Sequence, residues 1–216
     1  MSSMNKTTMS NLALRHLGNS IAIANIDSDL TKEANACRAF IDQTIEAVLR
    51  SKRWPFASKT IALNLLEENP TEEWRYAYIY PADCLDFKRI VANFNANLVR
   101  TLGSEFIADI SLQQREPYSL GQTAAGIQVI MTNKVDAVGE YTVKSQNLTY
   151  YPADFQLTLS FLLAFYIAPS VAGGDPFKLG DRALGAYERH LAMASQNNMN
   201  EEQPGPLPES EFISIR

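Results

Sequence analysis

The sequence predicts an α+β fold: a helical bundle with a β-rich insertion and an extended C-terminal arm. Three observations predict it. Apolar residues recur at spacings of three and four over residues 1–57 and again over 152–196, which is typical of helices packed on one face. Over residues 58–151 apolar residues alternate with polar ones, the period of a strand. Residues 197–216 are rich in Asn, Glu and Pro, so we expect them to form an extended arm rather than a helix.

The first half of the bundle contains two predicted helices. The first runs from Lys6 to Leu17 and ends where Gly18 tolerates a left-handed backbone. A loop over residues 20–28 follows, and we expect its Ile21, Ile23 and Ile26 to pack onto the bundle. The second helix is predicted from Asp29, as N-cap, to Arg53, before Trp54-Pro55. Its apolar stripe consists of Cys37, Phe40, Ile41, Thr44, Ile45, Val48 and Leu49.

The insertion is predicted to be built from strands. Ile61, Leu63 and Leu65 alternate with shorter or polar residues, as do Tyr76, Tyr78 and Tyr80. Residues 126–132 and 138–143 are two further strand candidates. The pattern does not assign the order of the strands.

Helices return after Pro152. Residues 155–167 are apolar on nearly every face, which predicts a central helix, closed by Pro169 and Gly173-Gly174. The stretch 155–168 is shorter than the about 20 residues that span a bilayer, so no membrane contact is expected. Asp175-Pro176 begins a last helix that is predicted to run to Gln196. Its predicted apolar face consists of Phe177, Leu184, Tyr187, Leu191 and Met193.

Charge and cysteine content restrict the function classes. The net charge is −5, the wrong sign for a protein that binds nucleic acid through its phosphates. It would suit a surface past which DNA moves without binding, although most acidic proteins have no connection with DNA. The polar N-terminus lacks the apolar core of a signal peptide. Cys37 and Cys84 form neither a disulfide framework nor a zinc site, and we expect partly buried thiols in a reducing cytoplasm.

No catalytic, cofactor-binding or metal-binding residue is predicted. His16 and His190 lie far apart in the sequence; a solvated or capping position is expected for His16 and a solvent-facing one for His190. The carboxylates of residues 67–68 and 72–73 could be an acid and base pair of a glycosidase, but their place beside Asn69-Pro70 favours solvated charges in a turn.

The aromatic residues Trp74, Tyr76, Tyr78 and Tyr80 leave two interpretations open. They could stack bases of a single strand, as in sheet-based nucleic-acid binders. The acidic balance favours the other interpretation, which is packing between neighbouring strands.

The C-terminal arm carries the predicted binding residues. It is acidic, and it ends in three apolar side chains and a basic one: Phe212, Ile213, Ile215 and Arg216. Such an ending is either a disordered terminus or a segment that docks on a neighbouring subunit or partner, by strand addition for example.

Most of the chain resembles the tail tubular protein A family of short-tailed bacteriophages, also described as head-to-tail adaptors or connectors. The resemblance begins with Leu14-Arg15-His16-Leu17-Gly18 and continues through Trp54-Pro55-Phe56-Ala57 at the end of the second helix. It includes Tyr80-Pro81-Ala82-Asp83-Cys84-Leu85, the segment from Tyr151-Pro152 to Pro169, and the closing residues 210–216. Residues 94–126 do not follow the family pattern.

The resemblance implies a structural virion protein at the head-tail junction, made in the host bacterial cytoplasm. It implies a self-associating ring of about twelve copies that binds the portal protein above and the tail nozzle protein below. Tail fibres would be a further partner, and DNA would only pass through the lumen. The alternatives are a head-completion or connector protein of a long-tailed phage, a virion-associated peptidoglycan hydrolase, and a protein of a prophage remnant.

Overall fold

The computed structural model describes residues 4–91, 116–144 and 148–201, and it confirms the α+β class. The described chain divides into two compact units. We call residues 4–57, 144 and 148–201 the helical unit, and residues 58–91 and 116–143 the sheet unit. The first division falls after Ala57, where the insertion was predicted to begin. The second falls after Val143, so the short 3-10 turn Leu148–Tyr150, predicted as part of the insertion, belongs to the helical unit.

Four helices make up the helical unit: α1 (Lys6–His16), α2 (Lys32–Ser51), α3 (Ala153–Val171) and α4 (Pro176–Glu201). Each of the other three packs against α3, which accounts for its apolar sequence. The prediction that Asp29 caps α2 is wrong. The cap is Thr31, whose side chain accepts a hydrogen bond from the Ala34 amide, while Asp29 accepts one from the Thr31 amide.

Helix α3 is longer than predicted. Pro169 lies inside it, and the helix ends at Val171, so the proline does not close the helix as predicted. Among the described residues, α3 is the one helix long and apolar enough to span a membrane, so the expectation that this segment is too short is wrong. The core helices of folded domains have the same length and composition, and 56% of the most apolar stretch of α3 is buried inside the protein.

Helix α4 also extends beyond its predicted end. Residues 197–201 are helical, contrary to the prediction of an arm beginning at 197. Two side chains hold this last part of the helix to the rest of the unit: Asn197 donates to the Asp154 carboxylate over 3.2 Å, and Asn198 to the Arg53 carbonyl over 3.0 Å. These tertiary contacts override the weak helix propensity of asparagine. The rest of the predicted arm, residues 202–216, lies outside the described residues.

The predicted apolar face of α4 is wrong in part. Phe177 and Met193 are 75% and 57% exposed, whereas the small residues Gly180, Ala183 and Ala194 are buried. A Cβ atom built on Gly180 would lie 3.5 Å from the Ala168 side chain, so the small residues allow close contact between α3 and α4. Burial follows the line of closest approach between the two helices rather than the size of the side chains.

An aromatic cluster closes one end of the helical unit. The Phe155 ring lies edge-on at 4.8 Å from Trp54 and at 4.9 Å from both Phe56 and Tyr151. Trp54 is buried and donates from its indole nitrogen to the Val48 carbonyl over 2.9 Å. We call these four residues the aromatic end. It ties the last turn of α2 to the first turn of α3.

Seven strands form two antiparallel sheets in the described part of the sheet unit. One has the order β1-β7-β4 and the other β2-β3-β6-β5. The strands are β1 (Ser58–Ala62), β2 (Leu65–Glu68), β3 (Tyr76–Ile79), β4 (Cys84–Val91), β5 (Tyr118–Gln122), β6 (Gln128–Thr132) and β7 (Val138–Val143). The prediction that Ile61 and Leu65 share one strand is wrong, because the chain passes from one sheet to the other between them.

Both sheets contribute to one core. It contains Leu63, Tyr78, Phe87, Ile90, Ile130, Ala137 and Tyr141. Tyr141 donates its hydroxyl to Asp83 over 2.7 Å, and burial, with this hydrogen bond second, raises its pKa to about 12. The buried Glu140 is paired with Arg89 at 2.6 Å and accepts a hydrogen bond from Ser58, so its charge is compensated.

Candidate functional site

Opposite the aromatic end, Asn19 brings three helix ends together. It follows α1, where Gly18 has a φ of 73°. Its side-chain amide donates to the Val171 carbonyl at the end of α3 over 3.2 Å. The same amide lies 3.4 Å from the Glu33 carboxylate in the first turn of α2. The first turn of α4 lies nearby, since residues 172–175 alone connect it to Val171.

Three large apolar side chains are exposed at this end. Leu30 is 84% exposed, Phe177 is 75% exposed and Ile21 is 49% exposed. Ile21 was expected to pack onto the bundle with Ile23 and Ile26; the latter two are buried, but Ile21 is not. We call Ile21, Leu30 and Phe177 the apolar end. It is the candidate functional site, since several large apolar side chains exposed at the same end of a folded unit are typical of binding sites.

Polar contacts fix the backbone around the apolar end. The Arg38 guanidinium donates to the Ile26 carbonyl over 2.9 and 2.5 Å and to the Asp29 carbonyl over 2.7 Å. Asn35 donates to the Leu30 carbonyl over 3.3 Å. These hydrogen bonds fix the backbone before and at Leu30, and this fixed backbone presents the Leu30 side chain to solvent.

At the apolar end, two carboxylates are hydrogen-bonded to the backbone, whereas the basic side chains are exposed to solvent. Hydrogen bonds from Thr31, backbone first and side chain second, lower the pKa of Asp29. The Asp175 carboxylate accepts from the Phe177 and Lys178 amides over 3.1 and 3.2 Å, as an N-cap of α4. Exposed basic side chains flank these caps: Lys32, Lys178 and Arg182, with Asp181 the exposed carboxylate beside them.

The two histidines are brought together, which the sequence did not predict. The His16 ring stacks on Phe161 with centroids 3.9 Å apart, and the His190 ring stacks on Phe161 at 4.9 Å. The expectations of a solvated or capping His16 and a solvent-facing His190 are therefore wrong. Burial, with the charge of His190 second, lowers the pKa of His16. The three rings join α1, α3 and α4.

Ser160 lies next to His16, but the pair is not arranged as a nucleophile and base. The His16 Nε2 atom is 3.0 Å from Ser160 Oγ. Ser160 is fully buried and donates its hydroxyl proton to the Leu157 carbonyl over 2.7 Å. Because a hydroxyl has one proton, His16 must donate to Ser160 rather than remove its proton. The contact therefore positions the imidazole ring against α3.

The cysteines and carboxylates do not form a reactive cluster in the described part of the chain. Burial raises the pKa of the Cys37 thiol to about 11, and burial also raises that of Cys84, so both are protonated at neutral pH. No group of three or more potential metal ligands occurs among the described residues. Glu67, Glu68, Glu72 and Glu73 are exposed on and around the turn between β2 and β3, as predicted for solvated charges.

The aromatic residues of the sheet unit pack against protein. Tyr78 is buried in the core and donates to the Lys134 carbonyl over 2.8 Å. Its ring centre is 6.4 Å from that of Tyr76. A buried ring cannot stack on a base, so the packing interpretation is confirmed for Tyr78.

The groove beside the start of α1 does not gather catalytic groups. It has a volume of about 680 Å³ and lies between the start of α1 and residues 23–27, with Leu148 and Thr149 at its side. Asn, Thr and backbone groups line much of it, and Lys6, one of its two charged residues, pairs with Asp42 at 2.6 Å.

The predicted binding residues Phe212, Ile213, Ile215 and Arg216 lie outside the described residues. The structure points instead to the apolar end, which the sequence did not indicate, because Ile21 and Phe177 were both expected to be packed against the bundle. No family model and no curated protein matches this chain.

Proposed function

We propose that this protein is a subunit of the head-to-tail adaptor ring of a short-tailed bacteriophage, joining the portal to the tail nozzle and lining the DNA passage. In this proposal the helical unit is the bundle of the adaptor, the sheet unit is its insertion, and residues 202–216 are its arm. The proposal rests on the resemblance of the sequence and on one structural observation, the apolar end.

The apolar end supports a binding role over a catalytic one. Leu30 and Phe177 are the most exposed large apolar side chains of the helical unit except for Tyr150, and fixed backbone presents them. When a partner buries such a side chain completely, each one contributes about 1.5–3 kcal/mol to the free energy of binding. A ring subunit has neighbours that supply this cover, repeated once per copy.

Charge is consistent with passage of DNA. The described sheet unit carries nine acidic and five basic residues, and the described helical unit is close to neutral. A surface of this kind repels phosphates instead of binding them. DNA would then move past the ring without a strong salt-dependent attachment.

Native mass spectrometry of the full chain, alone and mixed with the portal ring of a short-tailed phage, tests the proposal. We expect a complex of about a dozen copies on one portal. The Leu30→Ser/Phe177→Ser double variant should lose most of this assembly while its circular dichroism stays unchanged. The matched control is Met193→Ser, which alters another exposed apolar side chain of α4. A wild-type chain that stays monomeric beside every portal ring would show that the adaptor proposal is wrong.

A further inference from the structure

We infer that the apolar end of one copy binds the C-terminal segment of a second copy, residues 209–216. The inference rests on the proposed function to this extent: a ring subunit needs two different, complementary faces. The apolar end is one face, and the C-terminal segment is the other.

The two faces match in their apolar groups. The apolar end presents Ile21, Leu30 and Phe177, and the C-terminal segment contains Phe212, Ile213 and Ile215. An extended segment of eight residues spans about 26 Å, enough to cross the ends of helices packed 8–10 Å apart. Because hydrogen bonds already fix the loop before α2, the apolar end loses little conformational freedom on binding.

Groups of opposite charge are available on the two faces. Glu209 and Glu211 flank the apolar residues of the segment. At the apolar end, Lys32, Lys178 and Arg182 are exposed and have no carboxylate within ion-pair distance among the described residues. The carboxylates of Asp29 and Asp175 accept hydrogen bonds from backbone amides and keep their charge, and Asp181 is an exposed carboxylate beside the basic residues. The apolar end is therefore mixed in charge, and its three exposed cations are the groups with which Glu209 and Glu211 can pair.

The length of the chain favours a second copy as the source of the segment. Phe177 lies in the first turn of α4 and Glu201 is its last residue, about 36 Å away along the helix. Phe212 follows Glu201 by eleven residues, which reach about 36–40 Å only when fully extended. To reach its own apolar end, the chain would have to reverse direction and keep no slack. A neighbouring copy imposes neither requirement.

Fluorescence anisotropy with a labelled peptide tests the contact directly. The probe is a synthetic peptide of residues 205–216, and the receptor is the full chain carrying Phe212→Ser and Ile213→Ser, so that its own segment does not compete. We expect saturable binding that weakens at least about tenfold in the further Leu30→Ser/Phe177→Ser variant, since each lost apolar contact accounts for about a tenfold change. Met193→Ser should leave it unchanged. Equal binding by all three receptors, or no binding, would overturn the inference.

A mixing experiment separates contact between copies from contact within one copy. The full chain with Leu30→Ser/Phe177→Ser keeps its C-terminal segment, and the full chain with Phe212→Ser/Ile213→Ser keeps its apolar end. Each alone should be monomeric by sedimentation, and their mixture should form a one-to-one pair and nothing larger. A mixture that stays monomeric, while the peptide binds only when the chain's own segment is mutated, would show binding within one copy and overturn the inference.

These outcomes are distinguishable from those that test the adaptor proposal. Peptide binding and pair formation need no portal. If the chain forms the pair but does not bind portal rings, the adaptor proposal is wrong and the contact between copies is supported. If the chain assembles on a portal after loss of Phe212 and Ile213, the adaptor proposal is supported and the contact between copies is wrong.

Discussion

The two ends of the helical unit use large apolar side chains in opposite ways. At the aromatic end, Phe155 is completely buried against three other rings. At the apolar end, Leu30 and Phe177 stand mostly in solvent. Both ends are well supplied with hydrogen bonds, so the difference lies in what covers the side chains.

The comparison teaches that apolar residues of similar size serve folding at one end and remain available for binding at the other. A side chain contributes to the free energy of unfolding only to the extent that folding removes it from water. The aromatic end should therefore be sensitive to truncation in stability measurements. The apolar end should be sensitive in binding measurements and insensitive in stability measurements.

The largest expected effect is that of Phe155→Ala. Truncating a fully buried phenylalanine removes its transfer free energy and leaves a cavity, so the free energy of unfolding of the helical unit should fall by about 3–5 kcal/mol. Urea denaturation followed by circular dichroism at 222 nm measures it, since the helical unit dominates that signal. Phe155→Leu is the matched control and should lose much less. A loss below about 1 kcal/mol for the alanine variant would contradict the assignment of this cluster to stability.

A smaller effect is expected for Arg38→Met, which keeps the aliphatic part of the side chain and removes the donors to Ile26 and Asp29. Charge-assisted hydrogen bonds at a partly exposed site predict a loss of about 1–2 kcal/mol. Hydrogen exchange should show the amides of residues 26–31 exchanging about tenfold faster or more. Arg15→Met, an exposed arginine on α1, is the control. Unchanged exchange in this loop would mean that Arg38 does not hold Leu30 in place.

Much of the helical unit was predictable because local patterns determine it. The stripe of α2 that includes Cys37, Ile41 and Val48 is buried as its spacing predicted. The apolar end was not predictable, since the sequence assigns Ile21 and Phe177 to buried faces and only tertiary packing decides otherwise. Arg38 bonds to carbonyls that any residue type could provide, so no residue pattern identifies its contacts.

In the sheet unit, the position of a strand along the chain could be predicted, but the pairing of the strands into two sheets could not. Residues 138–143 form β7 with the predicted bounds. The division between β1 and β2 depends on long-range pairing of β1 with β7 and of β2 with β3, which alternation cannot specify. The contact of His16 and His190 through Phe161 is similarly long-range, and the sequence separation of the histidines conceals it.

A third prediction concerns pH and the middle of the helical unit, between its two ends. The pKa of His16 in the folded state lies below the ordinary histidine value of 6.5, so below that pH the unfolded chain binds more protons. The contribution of His16 to the free energy of unfolding is therefore fully present above about pH 6.5, and it is lost as the pH falls through the lower pKa of the folded state. His16→Gln keeps a donor for Ser160 and removes the titration. Its unfolding free energy should depend less steeply on pH between 5 and 7 than that of the wild type. Identical pH slopes would contradict the role of His16.

The smallest expected effect is that of Leu30→Ser/Phe177→Ser on stability. Both side chains are already mostly in solvent, so their loss should change the free energy of unfolding by less than about 0.5 kcal/mol each. Urea denaturation of the full chain at low concentration, where copies do not meet, measures this value. A loss of 2 kcal/mol or more would mean that another part of the same chain covers these side chains in solution. Insensitivity of stability, combined with loss of peptide binding, would instead assign the apolar end to contact with a partner, and the contrast with Phe155 would then hold for function as well as for packing.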